Sequence, residues 1–176
     1  MNVGASSPEQ YGGYYAWGET SEKSVYNEVN YSYFNGQDTD GDGDIDENLS
    51  VVNIGSDIAG TSYDVAHVRM GGSWRMPSIA QHQELVDNCT LTFTQQNGVY
   101  GFLVTGNNGG QLFLPAAGYR CWDSDFDGDG SYGFYWSSSL YPETGSGAYY
   151  LGLNSDYWSW DAYYRGGGLS VRAVCP

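Results

Sequence analysis

The second half of the chain alternates hydrophobic and polar positions, which is the pattern of half-buried β-strands. Segments 91–94 and 99–105 alternate in this way and are separated by Gln-Gln-Asn-Gly, while Gly-Asn-Asn-Gly-Gly separates 99–105 from 111–114. Both spacers are rich in residues that form tight hairpin turns. The same reasoning predicts three further strands, at 134–139, 148–153 and 169–175.

A helix is predicted over 79–87. Pro77 interrupts what precedes it, and Ser78 with Gln81 three residues later forms a capping box. The inward face of this helix is formed by Ile79, His82, Leu85 and Val86. Asn88 then terminates the element, so the segment is a single short helix between two regions of other structure.

The N-terminal part of the chain is less regular. Residues 11–18 are aromatic and punctuated by glycine, which favours a strand, and 19–35 is predicted to be an extended polar loop. A short helix at 62–70 would place Val65 and Val68 inward. Two early helices followed by hairpins predict an α+β fold, and 176 residues are enough for one domain with a sizeable core.

Acidic residues change this picture because they are concentrated in two short loops. The chain carries 21 Asp+Glu against 6 Lys+Arg, a formal net charge of −15. Six of the acids lie within 38–47 and four within 123–129. Nucleic acids and anionic membrane surfaces require clustered basic residues, so neither is an expected partner. No stretch approaches the roughly 18 consecutive apolar residues that insert into a membrane.

Both acidic loops have the spacing of calcium ligands. In the first loop the candidate ligands are Asp38, Asp40, Asp42, Asp44 and Asp46. Gly43 permits the sharp turn, but Leu49 stands where a bidentate Glu would close the site, and Glu47 is the candidate substitute. In the second loop the candidates are Asp123, Asp125, Asp127 and Asp129. Calcium would order these loops structurally; a solvated acidic loop without an ion is the alternative.

Catalytic chemistry has little support in the sequence. His67 and His82 are the only imidazoles, and no nucleophile can be paired with a base. The three cysteines, Cys89, Cys121 and Cys175, lack metal-ligand spacing. A disulfide between Cys89 and Cys175 would tie the helix end to the last strand and would suit an extracellular compartment. We therefore expect a binding protein rather than an enzyme.

The segment 149–167 has the composition of a binding surface. It contains seven aromatic residues interspersed with Ser, Gly, Asn and Asp, as antibody paratopes do. Residues 154–168 lack clean alternation and end in three glycines, which predicts a loop with most of its aromatic side chains exposed. The alternative is that one of the two tryptophans folds back onto the core. The predicted ligand-binding residues are Tyr150, Asn154, Asp156, Tyr157, Trp158, Ser159, Trp160, Asp161, Tyr163 and Tyr164.

Six motifs, spread over nearly the whole chain, stand in an order that resembles the Fibrobacter succinogenes major paralogous domain. They are Asn-Val-Gly-Ala-Ser-Ser-Pro (2–8), Tyr-Tyr-Ala-Trp-Gly-Glu-Thr (14–20), Trp-Arg-Met-Pro-Ser (74–78), Leu-Pro-Ala-Ala-Gly-Tyr-Arg (114–120), Tyr-Trp-Ser-Ser-Ser (135–139) and Ser-Val-Arg-Ala-Val (170–174). That family is common in Bacteroidetes surface proteins. The resemblance implies a C-type lectin-like domain with short helices, a small antiparallel sheet and long Gly/Tyr-rich loops, at the C-terminal end of a longer surface protein.

The same resemblance extends to the variable proteins of diversity-generating retroelements. Such systems mutate template adenines, and adenine changes in an Asn codon reach Tyr, Asp, Ser, Gly and Ala but not Trp. Residues of this set occupy Tyr150, Gly152, Asp156, Tyr157, Ser159, Asp161, Ala162, Tyr163, Tyr164, Gly166 and Gly167. The resemblance therefore implies a diversified segment anchored by a fixed strand at 169–174.

Together these features predict a ligand-binding domain of receptor or adhesin type, extracellular, on a cell surface or a phage tail, that contacts a protein or glycan ligand on another cell or host surface. The sugar-binding signatures of animal lectins are absent from the sequence, which favours a protein target. The alternative is a structural surface or pilus-tip domain whose aromatic segment packs against a neighbouring subunit. A formylglycine-generating-like enzyme is the remote alternative, since neither Cys121 nor Cys175 stands in a recognisable motif of that enzyme.

Overall fold

The computed structural model describes residues 1–122 and 126–175, with the side chains of 126 and 127 outside the description. In chain order the elements are β1 (Phe34–Gln37), β2 (Glu47–Val51), α1 (Val65–Met70), α2 (Ile79–Asn88), β3 (Cys89–Gln96), β4 (Val99–Gly106), β5 (Gln111–Pro115), β6 (Ala117–Arg120), β7 (Phe126–Asp129), β8 (Gly133–Leu140), β9 (Gly147–Leu153) and β10 (Trp158–Tyr164). The fold is α+β with strands predominating, as predicted. Among these residues no helix has the length and apolar content needed to cross a membrane.

The largest sheet contains five strands in the order β10-β9-β8-β6-β7. Its neighbours run antiparallel, except that β6 and β8 are parallel and meet at Gly118 and Gly133. Strand β10 lies at one edge, and nothing in the described part of the chain continues the sheet beyond it. A hairpin of β1 and β2 and a three-stranded sheet of β3, β4 and β5 complete the strand structure.

The α2 helix and the β3–β4 hairpin confirm the predictions made from local signals. Ser78 caps α2, and the reciprocal contacts between Ser78 and Gln81 form the capping box. His82 is buried on the inward face. The hairpin turns at Asn97 and Gly98, whose φ angles are 50° and 84°. Positive φ at both central residues is the geometry that Asn-Gly favours in two-residue hairpins.

The α1 helix confirms one predicted inward residue and corrects another. It begins at Val65, after the N-cap Asp64, whose carboxylate accepts hydrogen bonds from the backbone N–H groups of Ala66 and His67. Val65 and Ala66 are buried, whereas Val68 is 49% exposed. Because the helix has six residues, a single turn contacts the core, and that contact is made by Val65 and Ala66 rather than by Val68.

Two segments predicted as strands are extended but lie outside the regular strands. Residues 11–18 and 169–175 are joined to their neighbours by isolated bridges, such as that between Tyr15 and Leu169. Both run through the core, where the indole of Trp136 donates a hydrogen bond to the carbonyl of Tyr15 at 2.8 Å. Their burial matches the apolar pattern of the sequence, but their backbone pairing is limited to these single bridges.

The predicted disulfide between Cys89 and Cys175 is wrong, because all three cysteines are free. Cys89 begins β3 and packs beside the cluster that contains Phe102 and Leu114. Cys175 is exposed at the end of the chain, beyond Val174, which pairs with Arg75. The two thiols thus belong to different surroundings, and no cross-link supports the fold at this point.

The β9–β10 hairpin contacts all three hydrophobic clusters of the core. Tyr150 and Tyr163 pack against the cluster around Trp17 and Trp136. Trp158 packs against the cluster around Phe102, and Tyr164 against the one around Tyr14 and Tyr31. Tyr150 and Tyr163 lie on one face of the hairpin and Trp158 and Tyr164 on the other, so both faces are anchored to the core, and the exposed side chains are those of the turn and of the middle of β10.

Candidate functional site

The segment predicted as a binding loop is largely a strand. Residues 158–164 form β10 and pair with β9 in antiparallel register, with Ser159 opposite Gly152 and Asp161 opposite Tyr150. Trp and Tyr have high β-propensity, and β10 lies at a sheet edge, where middle positions of both faces can be exposed. Burial along β10 therefore does not alternate, which explains why the sequence pattern suggested a loop.

The turn between β9 and β10 is shaped by Asn154. Its side-chain oxygen accepts hydrogen bonds from the backbone N–H groups of Asp156 at 2.8 Å and Tyr157 at 2.9 Å. Its own N–H donates to the Tyr157 carbonyl at 2.9 Å. This is an Asx-type turn, and it places Tyr157 at the tip with 60% of its surface exposed. Asn154 thus shapes the exposed turn by holding its backbone, and its own side chain is not exposed.

The predicted contact residues divide into two groups of five. The exposed group is Asp156, Tyr157, Ser159, Trp160 and Asp161. The half-buried group is Tyr150, Asn154, Trp158, Tyr163 and Tyr164. Of the seven aromatic residues in the hairpin, only Tyr157 and Trp160 are exposed, so the prediction that most would be exposed is wrong. Trp158, packed on the core, fits the alternative that one tryptophan folds inward.

Four aromatic rings from four strands form a closed quartet on one face of the five-stranded sheet. Tyr119 lies 5.1 Å from Phe134, Phe134 lies 5.5 Å from Tyr150, and Tyr150 lies 6.1 Å from Tyr163, measured between ring centroids. Tyr163 closes the circuit at 5.7 Å from Tyr119. With Leu169 these rings line a pocket of about 120 Å³, which we call the aromatic quartet.

Sequence reasoning missed two members of this quartet. Tyr119 was noted only as part of a family motif, and Phe134 only as a strand residue. Their convergence depends on β6 and β8 being neighbours in the sheet, which no local pattern reveals. The other two members, Tyr150 and Tyr163, were predicted as contact residues and are brought together with them.

The rim of the quartet carries negative charge. Burial raises the pKa of the Tyr150 phenol, and the carboxylate of Asp161 and the neighbouring phenol of Tyr157 add to the increase. The pKa of Tyr163 is also raised, first by burial and then by its hydrogen bond with Cys121. Both phenols are therefore protonated and neutral at physiological pH. The sequence from 121 to 164 contains seven Asp or Glu residues and no Lys, Arg or His.

The residues that follow β10 are structural. Arg165 is 1% exposed, and its guanidinium donates to the Tyr31 hydroxyl at 2.9 Å and to the Gly145 carbonyl at 3.0 Å. A Cβ added to Gly167 would lie 2.5 Å from the Tyr163 ring. Gly166 and Gly167 were among the positions read as diversified, but both are buried. Substitutions at these two glycines would therefore not change an exposed surface.

The first acidic loop is the turn of the β1–β2 hairpin, and it brings three of its carboxylates together. One oxygen from each of Asp38, Asp40 and Asp42 lies within 4.8 Å of the others, so this triad could hold a metal ion. Asp38 is oriented by the N–H groups of Gly41 at 2.6 Å and Gly43 at 3.0 Å. Carboxylate oxygens at this spacing are ligands suited to a hard cation.

The other candidate ligands of this loop lie differently. Asp46 accepts hydrogen bonds from the backbone N–H and the hydroxyl of Thr39 at 2.7 and 2.8 Å, which engage one of its oxygens, and it is not part of the triad. Glu28 approaches instead: its carboxylate accepts from the Ile45 N–H at 2.9 Å. Partial burial raises the pKa of Asp44, with Glu28 as the largest charged contributor. The sequence pattern missed Glu28 because it precedes the loop by ten positions.

The second acidic loop is only partly within the described residues. Asp123 and Asp125 lie outside them, as does the side chain of Asp127. Asp129 is exposed and belongs to β7, which pairs with β6. The C-terminal part of the predicted calcium loop is therefore a strand, and the metal ligands expected there stay a prediction.

Comparison of the chain with models of known families, with curated proteins and with solved structures found no match.

Proposed function

We propose that this protein is a ligand-binding domain of receptor or adhesin type, with a C-type lectin-like fold, displayed on a cell surface or a phage tail. Its contact surface is the turn 154–157 together with the exposed side chains of β10, which are Ser159, Trp160 and Asp161. Its ligand is a protein or glycan on another cell or host surface. The β9–β10 hairpin is a segment that a retroelement diversifies, so that different copies of the domain recognise different ligands.

The observation that carries this proposal is the exposure of Tyr157 and Trp160 on a hairpin that is anchored to the core. Tyr157 is 60% and Trp160 40% exposed, and Tyr157 is the most exposed large hydrophobic side chain among the described residues. Large aromatic side chains on a rigid support lose little entropy on binding and dominate interface energies. Ser159 and Asp161, exposed beside them, supply hydrogen-bonding groups for specificity.

The test is capture of ligands from arrays of glycans and of purified cell-surface proteins. We expect the wild-type domain to bind at least one member, and the double variant Tyr157→Ala/Trp160→Ala to lose that binding. Tyr100→Ala is the matched control, because Tyr100 is an exposed aromatic residue (49% exposed) on the separate β3–β4–β5 sheet. Binding that survives in the double variant, or that is lost equally in the control, contradicts the proposal.

A second candidate function is a structural or pilus-tip subunit, and the edge position of β10 favours it. Edge strands present unpaired backbone groups that can add a strand from a neighbouring chain. Exposed Asp161 opposes such pairing, since charged side chains protect sheet edges. Sedimentation over a wide concentration range separates the two functions: the structural role requires assembly that Asp161→Ala enhances, whereas a binding domain stays monomeric.

We further propose that the ion of the first acidic loop is calcium. The support is an all-oxygen ligand set: the triad Asp38, Asp40 and Asp42, the Asp44 carbonyl, and Glu28 in place of the missing bidentate residue. The role of the ion is structural. Tyr164 at the end of β10 belongs to the same hydrophobic cluster as Ile45 of the loop, so an ordered loop supports the base of the binding hairpin.

A further inference from the structure

The aromatic quartet has the form of a cage open to solvent. Its rings come from β6, β8, β9 and β10, and three of the four consecutive pairs of planes meet at steep angles: 75° for Tyr119 and Phe134, 75° for Tyr150 and Tyr163, and 72° for Tyr119 and Tyr163. The planes of Phe134 and Tyr150 meet at 42°. Rings that meet in this way act as walls. A group of about 120 Å³ fits between them, above the buried side chain of Leu169.

The electrostatics of the quartet select a cation. Ring faces carry negative charge density and attract a cation held within about 6 Å of their centroids. Asp161 adds a formal negative charge on the same sheet face, since it lies opposite Tyr150 in the register. The sequence from 121 to 164 contains no basic residue, and the guanidinium of Arg120, which follows Tyr119 on β6, lies 5.0 Å from the ring of Tyr14, in a different hydrophobic cluster from the quartet.

The walls also restrict the kind of cation. A primary ammonium carries three N–H donors that need acceptors when it leaves water. Besides the hydroxyls of its three tyrosines, of which that of Tyr163 is hydrogen-bonded with Cys121, the quartet offers ring faces and an aliphatic floor, with one carboxylate at the rim. A fully alkylated ammonium has no N–H group to satisfy, and its methyl groups gain from contact with the rings.

We infer that the aromatic quartet, with Asp161 at its rim, binds a quaternary trimethylammonium group such as that of choline. This inference rests on the proposed function, because it names a ligand chemistry for the same hairpin. The free cation is the favoured source. In a phosphatidylcholine headgroup the phosphate would approach Asp161 and the other acidic residues of the region, which repel it.

The test is calorimetric titration of the whole domain with choline and with its neutral isostere 3,3-dimethylbutan-1-ol. We expect choline to bind roughly tenfold tighter than the isostere, which is the size of one desolvated cation–π contribution. Asp161→Asn should weaken choline binding severalfold and leave the isostere nearly unchanged, whereas Tyr150→Leu should weaken both, and choline by the larger factor. Asp161 is exposed, so its variant tests the inference even if the Tyr150 variant is unstable. Tyr100→Leu, on the other sheet, is the control and should bind as wild type does.

The outcomes separate this inference from the proposed function. No choline binding, or equal binding of choline and its isostere, overturns the cation assignment, while array capture that depends on Tyr157 and Trp160 still stands. Choline binding without array capture supports the aromatic quartet as a trimethylammonium site and counts against the turn and β10 as a contact surface for larger ligands. Sedimentation with phosphatidylcholine vesicles that Asp161→Asn abolishes supports the trimethylammonium chemistry and assigns its source to the lipid headgroup.

Discussion

Asp161 on β10 lies directly opposite Tyr150 on β9, and the two side chains share one face of the sheet. The register joins an exposed acid to a half-buried phenol, whose pKa is raised by burial and further by the Asp161 carboxylate. This pair links the two parts of the site: the exposed side chains of β10 and the aromatic quartet, which lies on the same sheet face as Asp161. The ring of Tyr150 depends on its packing against the core for its position. The exposed carboxylate of Asp161 can be replaced without affecting the fold.

Sequence variation in the gene should follow this division between exposed and anchored positions. Sequencing the locus from many cells should show substitutions at 156, 157, 159 and 161, and none at Arg165 or at 166–168. A Cβ at Gly168 would lie 2.8 Å from the buried Tyr26 ring, so side chains there require the core to move. Variation at the glycines, or a uniform hairpin in all cells and no template repeat beside the gene, would contradict the diversification hypothesis.

Calcium removal should destabilise the domain. At saturating calcium the bound ion contributes on the order of 2–3 kcal/mol, and chelation should lower the melting temperature accordingly. Asp40→Asn should abolish the calcium-dependent increment and melt slightly higher than wild type in chelator, because one like-charge repulsion is relieved. Asp87→Asn, an equal charge change at an exposed position of α2, should keep the full increment. A wild-type melting temperature that is insensitive to chelator would rule out a structural ion.

Stability should fall on mild acidification because of His82. Complete burial lowers the pKa of His82 from 6.5 to about 4. Between pH 6.5 and pH 4 the imidazole of His82 therefore binds a proton in the unfolded chain but not in the folded chain. The free energy of unfolding decreases as the pH falls through this window. The loss approaches roughly 3 kcal/mol near pH 4.

Urea denaturation at a series of pH values measures this effect. His82→Leu, which matches the apolar neighbours Leu85 and Leu114, should show a flatter profile from pH 6.5 to 4. His67→Gln, at a half-buried position, should retain the wild-type slope. Equal slopes in wild type and the His82 variant would show that other groups cause the acid sensitivity.

Arg165 should be essential for the position of β10. Besides its hydrogen bonds to Tyr31 and Gly145, its guanidinium lies 4.9 Å from the Trp17 ring. Arg165→Met should destabilise the domain by about 2–4 kcal/mol, because it leaves these buried acceptors without donors. Arg69→Met, at an exposed position, should change stability by no more than about 0.5 kcal/mol. Similar unfolding free energies for the two variants would contradict the anchoring role.

The sequence predicted those elements whose signals are local. The capping box of Ser78 and Gln81 specified α2, and Asn97 with Gly98 specified the β3–β4 turn. Strand β10 was missed because an edge strand can expose residues of both faces in its middle, so the period of two disappears from the pattern. The exposure of the aromatic side chains in this segment was overestimated because composition does not show that Trp158 packs against a hydrophobic cluster formed by other strands.

The candidate site was only partly predictable for a related reason. Tyr150 and Tyr163 were found from the composition of their segment, whereas Tyr119 and Phe134 join them through the order of strands in the sheet. The carboxylate of Glu28 contacts the acidic loop by accepting a hydrogen bond from the backbone N–H of Ile45, a residue seventeen positions later in the sequence. Contacts of this kind follow from tertiary structure, and a single sequence contains no local signal for them.

Hydrogen exchange in the presence and absence of an array-captured ligand tests the central claim most directly, because it locates the contact surface. We predict protection of the amides of 154–161 in the complex, with the β3–β4–β5 sheet unchanged. Protection confined to that sheet or to the polar pocket around Glu19 and Ser62, with 154–161 exchanging as in the free protein, would contradict the assignment of the β9–β10 hairpin as the binding surface.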